Sequence, residues 1–328
     1  MSFQLFKDAR VNVPEAKADL TGRTVIITGS NAGLGFQSAL SVARMQPARL
    51  ILAVRTVGKG EEAAKKIQEA TGFSRCEVWS LDMLREESVK AFADKANVDL
   101  DRLDIALLNA GIVMSQYELS PSGNTTQLQV NTYSTILLAK LLLPKVLTTA
   151  RLPKLATHAD FKPHISIVGS FVHFDVSRAS LPKDLAEGSI VKALNRKSDT
   201  GMGGYNITKA LLFLLTDELL AQLSPAERDM ITINTSDPGF CVTDFFGTSG
   251  FLLRLYYSLG ATLLSRTPQT GARLLTWAAT QPTSQGAFIA GGCVERNPSK
   301  FVTSDEGKAI GQSLYRELTA EWKQKLLL

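Results

Sequence analysis

The sequence predicts an α/β fold, a doubly wound parallel sheet with helices on both faces. From residue 24 onward, short apolar runs alternate with longer segments of helical periodicity. The first run, Thr24–Thr28, has the length and apolar character of a strand that is buried on both faces. Alternation of this kind places right-handed crossover helices on both sides of a parallel sheet. The chain has 328 residues, of which 45% are hydrophobic, enough for one large core. We therefore predict an N-terminal extension over residues 1–20 and a single domain over residues 21–328.

The predicted strands are short runs rich in apolar and β-branched residues. They lie at Thr24–Thr28, Arg49–Val54, Glu77–Leu81, Asp104–Leu108, Ile165–Val168, Ile231–Thr235 and Gly286–Ile289. The predicted helices lie at Leu34–Met45, Glu61–Glu69, Glu86–Ala96, Asn124–Val146 and Gly204–Leu223. Two long segments, Ala150–Pro163 and Phe171–Met202, interrupt the pattern, and their length predicts that they are functional or contain short helices. We expect irregular structure after Asp244.

The composition argues against several classes of protein. The net charge is +5, from 36 basic and 31 acidic residues, and the basic residues form no run, so we expect no nucleic-acid surface. The three histidines lack the spacing of metal ligands, so we predict no metal site. Cys76, Cys241 and Cys293 are far apart and form no CxxC pair, which is typical of a protein from a reducing compartment.

The N-terminus does not resemble a targeting segment. Met1–Arg10 contains charged residues and no apolar core, unlike a signal peptide. No apolar run in the chain reaches 18 residues, so we predict no transmembrane segment. These two observations predict a soluble, cytoplasmic protein.

A glycine-rich turn, Thr28–Gly35, joins the first predicted strand to the first predicted helix. A side chain at Gly29 or Gly33 would hold a phosphate away from the free amides of the helix N-terminus, and Gly35 lets helix and strand pack closely. Such a turn can be purely structural, but its place in a strand–helix unit favours a dinucleotide. The predicted cofactor contacts in this turn are Gly29, Ser30, Asn31, Gly33, Leu34 and Gly35.

The end of the second strand predicts which dinucleotide binds. An NAD site typically has an acidic residue there for the ribose 2′-hydroxyl, whereas this sequence has Arg55 and no acid. A guanidinium can stack on adenine and bind a 2′-phosphate through two hydrogen bonds. We therefore predict NADP(H), with an ordinary surface arginine as the alternative. After the third strand, Asp82 and Met83 are predicted near the adenine, and Asp82 could instead be the N-cap of the next helix.

Tyr205 and Lys209 are four residues apart at the start of a predicted helix, so their side chains share one helical face. A phenol has a pKa near 10, and a neighbouring ammonium group stabilises the phenolate and lowers that pKa. A tyrosine–lysine pair of this spacing is a weak signal when it stands alone.

Three polar features strengthen that signal because they come in the expected order. Asn109-Ala110-Gly111 follows the fourth strand, and Ser170 follows the fifth. The ligand crevice of an open α/β sheet lies at these carboxyl ends. Asn131 lies within a long apolar helix, where an asparagine indicates a buried hydrogen-bonding role. The alternative for Asn131 is a position on the solvent side.

Taken together, these residues resemble the short-chain dehydrogenases/reductases, in the branch that has a single-domain Rossmann fold. The matching motifs, in order, are Thr28–Gly35, Asn109-Ala110-Gly111, Asn131, Ser170, Tyr205 and Lys209. Pro238-Gly239 followed by Thr243 resembles the family's nicotinamide-flanking motif. Ala53–Thr56 and Arg266–Ala272 are similar to the retinol-dehydrogenase-like subgroup and its fungal natural-product relatives.

The resemblance implies an NADP(H)-dependent oxidoreductase that interconverts a ketone or aldehyde and an alcohol. It implies that Tyr205 exchanges the proton and that Ser170 polarises the carbonyl oxygen. It also implies that Lys209 binds the nicotinamide ribose and lowers the pKa of Tyr205, and that Asn131 holds a water that relays protons. The implied contacts with the carboxamide end of the cofactor come from Pro238, Gly239, Cys241 and Thr243.

The resemblance also bears on the substrate and the oligomeric state. Residues of about 244–285 correspond to the family's substrate lid, and they include Phe245-Phe246 and Phe251–Tyr257. Such apolar density favours a lipophilic substrate, such as a terpenoid or polyketide of secondary metabolism, but core packing or peripheral membrane contact stay open. Ser170 and Tyr205 are 35 residues apart, longer than in compact members of the family. The intervening insertion precedes the helix that commonly forms the subunit interface. It is predicted to line the substrate pocket or to block tetramers, so we expect a monomer or homodimer.

Two other functions compete with the enzyme. One is a non-catalytic NADP(H)-binding sensor or scaffold, and the other is an epimerase or dehydratase on the same fold. A sensor typically lacks the catalytic tyrosine or lysine, whereas both are present here. Epimerases usually belong to a branch of the family with another glycine spacing. The sequence therefore favours the oxidoreductase.

Overall fold

A computed structural model of the chain describes residues 11–155, 157, 160–197, 200–241 and 265–328. These residues form a sheet in the strand order β3-β2-β1-β4-β5-β6-β7-β8. The strands are β1 Thr24–Thr28, β2 Arg49–Val54, β3 Cys76–Ser80, β4 Ile105–Leu108, β5 His164–Val168, β6 Thr232–Ser236, β7 Phe288–Ala290 and β8 Val294–Arg296. Neighbouring strands are parallel except for β7 and β8, which are antiparallel. The predicted α/β fold is confirmed.

The helices cover both faces of this sheet. They are α1 Gly33–Arg44, α2 Val57–Thr71, α3 Glu86–Asp99, α4 Ser134–Ala150, α5 Ile190–Leu194, α6 Gly201–Ala221, α7 Pro225–Met230, α8 Pro268–Thr280, α9 Lys300–Thr303 and α10 Asp305–Gln324. Alternate residues of β1 enter different cores. Val25 and Ile27 pack with α1, α2 and α8, and Ile26 packs with α3, α4, α6 and α10. Side chains of a strand point alternately to the two faces of its sheet, which explains why β1 is apolar throughout.

The strand order reverses between β1 and β4. Connections that leave these two strands run to opposite faces of the sheet, so a crevice opens at their carboxyl ends. The glycine turn follows β1, and Asn109 follows β4. The topology therefore brings the predicted cofactor residues to the same end of the sheet.

The part of the chain after Ser265 differs from the prediction of irregular structure. It contains the helices α8 and α10 and the unpredicted edge strand β8. Leu274 and Leu275 of α8 are fully buried, so this helix belongs to the core. In the predicted lid of about 244–285, residues 244–264 lie outside the described residues, and Pro268–Thr280 instead forms α8, which packs on the sheet.

The long helix predicted over Asn124–Val146 is also different in detail. A helical turn at Thr126–Leu128 leads into a π-helical turn, Gln129–Tyr133, and α4 then runs to Ala150. The interrupting segment Phe171–Met202 does contain short helices, namely the 3₁₀ turns Phe171–Asp175 and Arg178–Ser180 and the helix α5. Helix α6 begins at Gly201, three residues before the predicted start.

The C-terminal helix α10 packs against α4 and α6. Leu314, Leu318 and Trp322 of α10 are 0–1% exposed and share one core with α4 and α6. Just beyond α10, the Lys325 ammonium donates to the buried carboxylate of Glu86 at 2.7 Å. Among the described residues, no helix is long and apolar enough to cross a membrane.

Candidate active site

The glycine turn after β1 has a backbone that larger residues would disturb. Gly29 and Gly33 have φ values of 66° and 55°, in the left-handed region that favours glycine. The Gly29 amide donates to the Ala53 carbonyl of β2 at 2.8 Å. A Cβ on Gly35 would lie 2.3 Å from the Gly29 carbonyl oxygen and 2.6 Å from Asn109 Nδ2. Only glycine therefore allows α1 to begin this close to β1 and β4.

Thr28 and Asn109 join the ends of β1 and β4. Thr28 Oγ1 accepts hydrogen bonds from the amides of Asn109 and Ala110, both at 2.9 Å. Asn109 Nδ2 donates to the Thr28 carbonyl at 2.9 Å. The next residue, Gly111, is half-buried at the same edge. The Asn109-Ala110-Gly111 segment thus lies beside the glycine turn, as expected for two parts of one cofactor site.

The residues of this turn fit a pyrophosphate. No side chain caps the first turn of α1, so its amides are available to an anion. Ser30 Oγ is buried and has no hydrogen-bond partner among the described residues. Asn31 and Leu34 are half-buried, and Gly33 is exposed. A phosphate oxygen is an acceptor that both the serine hydroxyl and these amides could use.

The predicted adenine-side residues follow β2 and β3. Arg55 is exposed directly after β2, and Met83 is buried after β3. Asp82 Oδ1 accepts from the Leu84 amide at 3.0 Å, whereas the N-cap of α3 is Arg85. The alternative that Asp82 caps this helix is therefore wrong, because its side chain closes the turn before it.

Tyr205, Ser170 and Lys209 come together where β5 meets α6. Tyr205 is 8% exposed and Lys209 is 4% exposed, and the side chains of Tyr205 and Ser170 are hydrogen-bonded. Lys209 Nζ lies 5.8 Å from the centroid of the Tyr205 ring and donates to the Val168 carbonyl at 2.7 Å. Three of the four predicted catalytic residues thus form one group.

Burial dominates the proton affinities of this group. It raises the pKa of Tyr205 well above its usual value, against the hydrogen bond with Ser170, which lowers it, and with the charge of Asp237, which raises it further. Burial lowers the pKa of Lys209 to about 8, and Asp237 opposes that change. The net direction for Tyr205 is opposite to the predicted lowering by Lys209, because desolvation disfavours the phenolate.

Asn131, the fourth predicted catalytic residue, lies in the π-helical turn and is 1% exposed. Its Oδ1 accepts from the Ile112 amide at 2.8 Å, and its Nδ2 donates to the Ile112 carbonyl at 2.8 Å and to Thr208 Oγ1 at 3.2 Å. Thr208 Oγ1 in turn donates to the Tyr205 carbonyl at 2.7 Å. The alternative of a solvent-facing asparagine is therefore wrong: Asn131 connects the segment after β4 to the Tyr205 turn of α6.

His173, to which the sequence assigned no role, lies directly behind Ser170. It is 0% exposed, and its ring centroid lies 4.2 Å from that of Phe213 and 5.1 Å from that of Phe288. Burial lowers its pKa to about 4, although the hydrogen bond with the Ser170 backbone opposes that change. The imidazole is therefore neutral at physiological pH. Its Nδ1 donates to the Ser170 carbonyl at 2.6 Å, three residues back in a 3₁₀ turn, a spacing that could have indicated the contact.

The segment after β6 lies beside the same group. Gly239 has a φ of 77°, and Cys241 is 8% exposed beside the Pro238 carbonyl, with its Sγ 3.6 Å from that oxygen. A Cβ on Gly271 of α8 would lie 2.4 Å from the Cys241 sulfur, so α8 packs tightly against this segment. The predicted residue Thr243 and the aromatic stretch Phe245–Tyr257 lie outside the described residues.

The described residues hold no group of three or more His, Cys, Asp or Glu side chains that could bind a metal ion. Polar groups at this end of the sheet come instead from the glycine turn, the segment after β4, Ser170 and the first turns of α6. Together they suit a dinucleotide and a small polar reacting group, because they combine anion-binding amides with a buried phenol and ammonium.

Comparisons with known proteins identify the family of the chain. A model of the short chain dehydrogenase family matches residues 23–151. The chain is 34% identical to the short chain dehydrogenase/reductase dmxR8 of Cryptosporiopsis sp., over 96% of this chain and 94% of that protein. It is 33% identical to the short-chain dehydrogenase/reductase phmF of Phaeosphaeria nodorum, over 95% of this chain and 90% of that protein.

Among solved structures, the fold is similar to that of L-sorbose reductase from Gluconobacter frateurii, which was crystallised with NADPH and L-sorbose. The TM-score is 0.59 at 18% sequence identity, and the match covers 85% of this chain and 98% of that one. At this identity the likeness concerns the fold alone. The near full-length similarity to the two fungal proteins goes further, and it shows that this chain belongs to the short-chain dehydrogenase/reductase family of oxidoreductases.

Proposed function

We propose that the protein is an NADPH-dependent reductase that converts a ketone or aldehyde on a lipophilic substrate into an alcohol. The observation that carries this proposal is the group formed by half-buried Ser170 with buried Tyr205 and Lys209, at the end of the sheet where the glycine turn also lies. A phenol and a hydroxyl that are hydrogen-bonded to each other can both donate to one carbonyl oxygen. This arrangement suits reaction at a C=O or CH–OH group.

The protonation states favour reduction. Because burial raises the pKa of Tyr205, its hydroxyl keeps the proton throughout the neutral range. That proton is needed at the substrate oxygen when the C=O bond is reduced. Bound NADPH would supply the hydride to the carbonyl carbon. Lys209, with a pKa of about 8, is mostly charged at pH 7 and stabilises negative charge that develops on the oxygens beside it.

Arg55 supports the preference for NADPH. Its exposed guanidinium follows β2, and no acid adjoins it in the sequence. A guanidinium can pair with a 2′-phosphate through two hydrogen bonds. One charge-assisted contact of about 1.5–3 kcal/mol corresponds to roughly a 10- to 100-fold preference for NADPH over NADH. The NADPH complex of L-sorbose reductase, which shares the fold, agrees with this cofactor.

The substrate class rests on the aromatic residues that follow Ser170. The ring centroids of Phe171 and Phe174 lie 4.6 Å apart, and Phe174 is 39% exposed. Phe171 is half-buried. An exposed aromatic ring this close to Ser170 in the chain favours a substrate with apolar surface. We propose that these rings form one wall of a lipophilic pocket.

We also propose that the protein is a monomer or a homodimer that does not assemble through α6. The apolar side of α6 is already covered by α10 of the same chain, through Leu314 and Leu318. A second copy could not bury that surface again. Size-exclusion chromatography with light scattering measures the assembly, and a tetramer would contradict this proposal.

The experiment that tests the function is NADPH consumption by the purified protein against a panel of bulky lipophilic ketones, with Tyr205→Phe in parallel. We expect wild type to consume NADPH and the variant to lose roughly 100- to 10,000-fold in kcat, the range for removing a general acid. Tyr315→Phe is the matched control, because that hydroxyl contacts Lys140 on α4, away from the site. Near-normal turnover by Tyr205→Phe would refute the assigned role. Tight NADPH binding without turnover of any ketone would favour the sensor or scaffold instead.

A further inference from the structure

The insertion between Ser170 and Tyr205 is attached to the C-terminal helix through α5. Both carboxylate oxygens of Glu317 on α10 accept from the first amides of α5, from Ile190 at 2.9 Å and from Val191 at 3.2 Å. Ile190 and Leu194 are 1–2% exposed. The start of α5 is therefore held by a charged cap and by core packing.

The other end of α5 is Asn195, whose side-chain amide makes three hydrogen bonds. Its Oδ1 accepts from the Thr125 amide at 2.7 Å. Its Nδ2 donates to Asn124 Oδ1 at 2.7 Å and to the Val191 carbonyl at 3.0 Å. Two of these three bonds reach the segment that leads into the π-helical turn. Asn195 thus links the insertion to the chain just before Gln129.

The hydrogen bonds continue from Asn124 across the π-helical turn. Asn124 Nδ2 donates to Gln129 Oε1 at 2.8 Å, and Gln129 Nε2 donates to Ser134 Oγ at 2.8 Å. Gln129 begins the turn, and Ser134 is the first residue after it. Asn124 is 3% exposed and Gln129 is 0% exposed. Because an extra residue per turn weakens the regular helical hydrogen bonding, this buried side-chain bridge stabilises the π-helical geometry.

The π-helical turn sets the position of Asn131. From this turn, Asn131 holds both backbone groups of Ile112 and donates to Thr208, which donates to the Tyr205 carbonyl. The path of contacts therefore runs from the insertion to the turn of α6 that carries Tyr205. Near the glycine turn, Thr28 and Asn109 form a separate set of hydrogen bonds.

We propose that Asn195 is a positioning residue, and that the insertion acts as a brace that holds Asn131 and the Tyr205 turn in their reactive arrangement. This inference rests on the reductase activity proposed above. Buried networks of this kind are sensitive to the loss of one member, because each remaining amide is left without a partner. Among the described residues, the hydrogen bonds of the brace reach Ile112 and the Tyr205 turn and not the glycine turn, so its loss should lower turnover more than cofactor affinity.

The test compares Asn195→Ala with Arg316→Ala. The control removes an exposed ion pair between Arg316 on α10 and Glu187 in the same insertion, a contact of little expected energy. Asn195→Ala removes three hydrogen bonds, and only part of that loss reaches the Tyr205 turn. We therefore expect kcat to fall about tenfold, with the KM for NADPH within about twofold of wild type. Arg316→Ala should keep the wild-type kcat.

Two further readouts separate positioning from general destabilisation. The Ile112 amide, which donates to Asn131, should exchange its hydrogen faster in Asn195→Ala, while amides of β1 keep their protection. The double variant Asn124→Ala, Asn195→Ala should lose no more kcat than the larger single loss, because both residues act through one path. Asn195→Ser, which keeps an acceptor for the Thr125 amide, replaces Asn195→Ala if the alanine variant fails to fold.

The outcomes also separate this inference from the proposed function. If wild type consumes NADPH with a ketone and Asn195→Ala matches it in kcat and in Ile112 exchange, the brace is refuted and the reductase stands. Equal losses in kcat and NADPH affinity would also refute the brace, because they indicate a general structural defect. If wild type turns over no ketone, the proposed function fails, and the Ile112 exchange still decides whether Asn195 positions Asn131.

Discussion

The glycine turn after β1 and the Tyr205 end of α6 are held in place by different means. The glycine turn is held mainly by its backbone. Gly29 and Gly33 adopt positive φ values, and the Gly29 amide donates a hydrogen bond to the neighbouring strand. At Tyr205, buried side chains from separate segments meet, among them Asn131 and Thr208. The comparison suggests that steric substitutions damage the first region and that remote polar substitutions damage the second.

The two regions also differ in how they carry charge. The glycine turn offers backbone amides and a serine hydroxyl, which are neutral groups. The catalytic region buries the Lys209 ammonium at 4% exposure, and burial depresses its pKa. A buried charge costs folding free energy unless its partners repay it. We therefore expect the buried charge of Lys209 to lower the free energy of unfolding, whereas the neutral groups of the glycine turn carry no such cost.

The largest effect that would sharpen this comparison is expected from Gly35→Ala. The added Cβ would lie 2.3 Å from the Gly29 carbonyl oxygen, so the turn must shift and lose contacts with the pyrophosphate. We expect NADPH affinity, measured by titration calorimetry, to fall at least about 100-fold, as for the loss of two charge-assisted hydrogen bonds. In Gly58→Ala the new methyl group meets no atom within 4 Å, so this control should bind normally. Normal NADPH binding by Gly35→Ala would contradict the conclusion that the glycine turn is sensitive to added side-chain atoms.

A smaller effect is expected when Arg55 is changed to alanine. If its guanidinium binds the 2′-phosphate, the KM for NADPH should rise roughly 10- to 100-fold, while the KM for NADH stays within about twofold. Steady-state kinetics with both cofactors gives the ratio. Lys59→Ala, at an exposed position of α2, is the control for loss of surface charge. An equal rise in KM for NADPH and NADH would mean that Arg55 does not bind the 2′-phosphate.

The smallest effect concerns stability, through Lys209→Met. The pKa of about 8, against 10.5 for a free lysine, corresponds to a cost of about 3 kcal/mol for keeping the charge buried at neutral pH. The hydrogen bond to the Val168 carbonyl offsets part of this cost. We therefore expect the variant, without cofactor, to gain about 1–2 kcal/mol of unfolding free energy at pH 7, measured by urea denaturation.

The stability difference between Lys209→Met and wild type should depend on pH in a defined direction. Between pH of about 8 and 10.5 the unfolded chain binds more protons at Lys209 than the folded chain, so this residue's contribution to wild-type stability improves as pH rises. The advantage of Lys209→Met should therefore shrink over that range. Lys65→Met, at a side chain that is 78% exposed, should show no such trend. A variant that is less stable than wild type at pH 7 would contradict the predicted cost of burial.

Local patterns predicted most of the sheet and the position of the glycine turn. The bounds of Thr24–Thr28 and Arg49–Val54 were correct, and those of the other predicted strands differed by one or two residues. The C-terminal helices were missed even though signals for them exist. Thr267 caps α8 with Pro268 at its first position, and Ser304 caps α10 with acidic residues after it, which is a recognisable start of a helix.

Other features had no local signal. A π-helical turn differs from an α-helix by one residue per turn, and it exists here because Gln129 is bridged to Asn124 and Ser134. The sequence showed an asparagine inside an apolar helix, and it could not show that Asn131 holds Ile112. Asn131 and Ile112 are 19 residues apart in the chain, so only packing could bring them together.

By itself, the sequence determined the α/β sheet, the glycine turn and the family, because strand periodicity, glycine spacing and motif order are properties of the chain alone. The tertiary structure decided that burial raises the pKa of Tyr205 and that His173 donates to the Ser170 carbonyl. It also decided that Asn195 of the insertion is hydrogen-bonded to Asn124, just before the π-helical turn of Asn131. The physical reason is that desolvation and side-chain networks depend on which distant residues exclude water and complete each hydrogen bond.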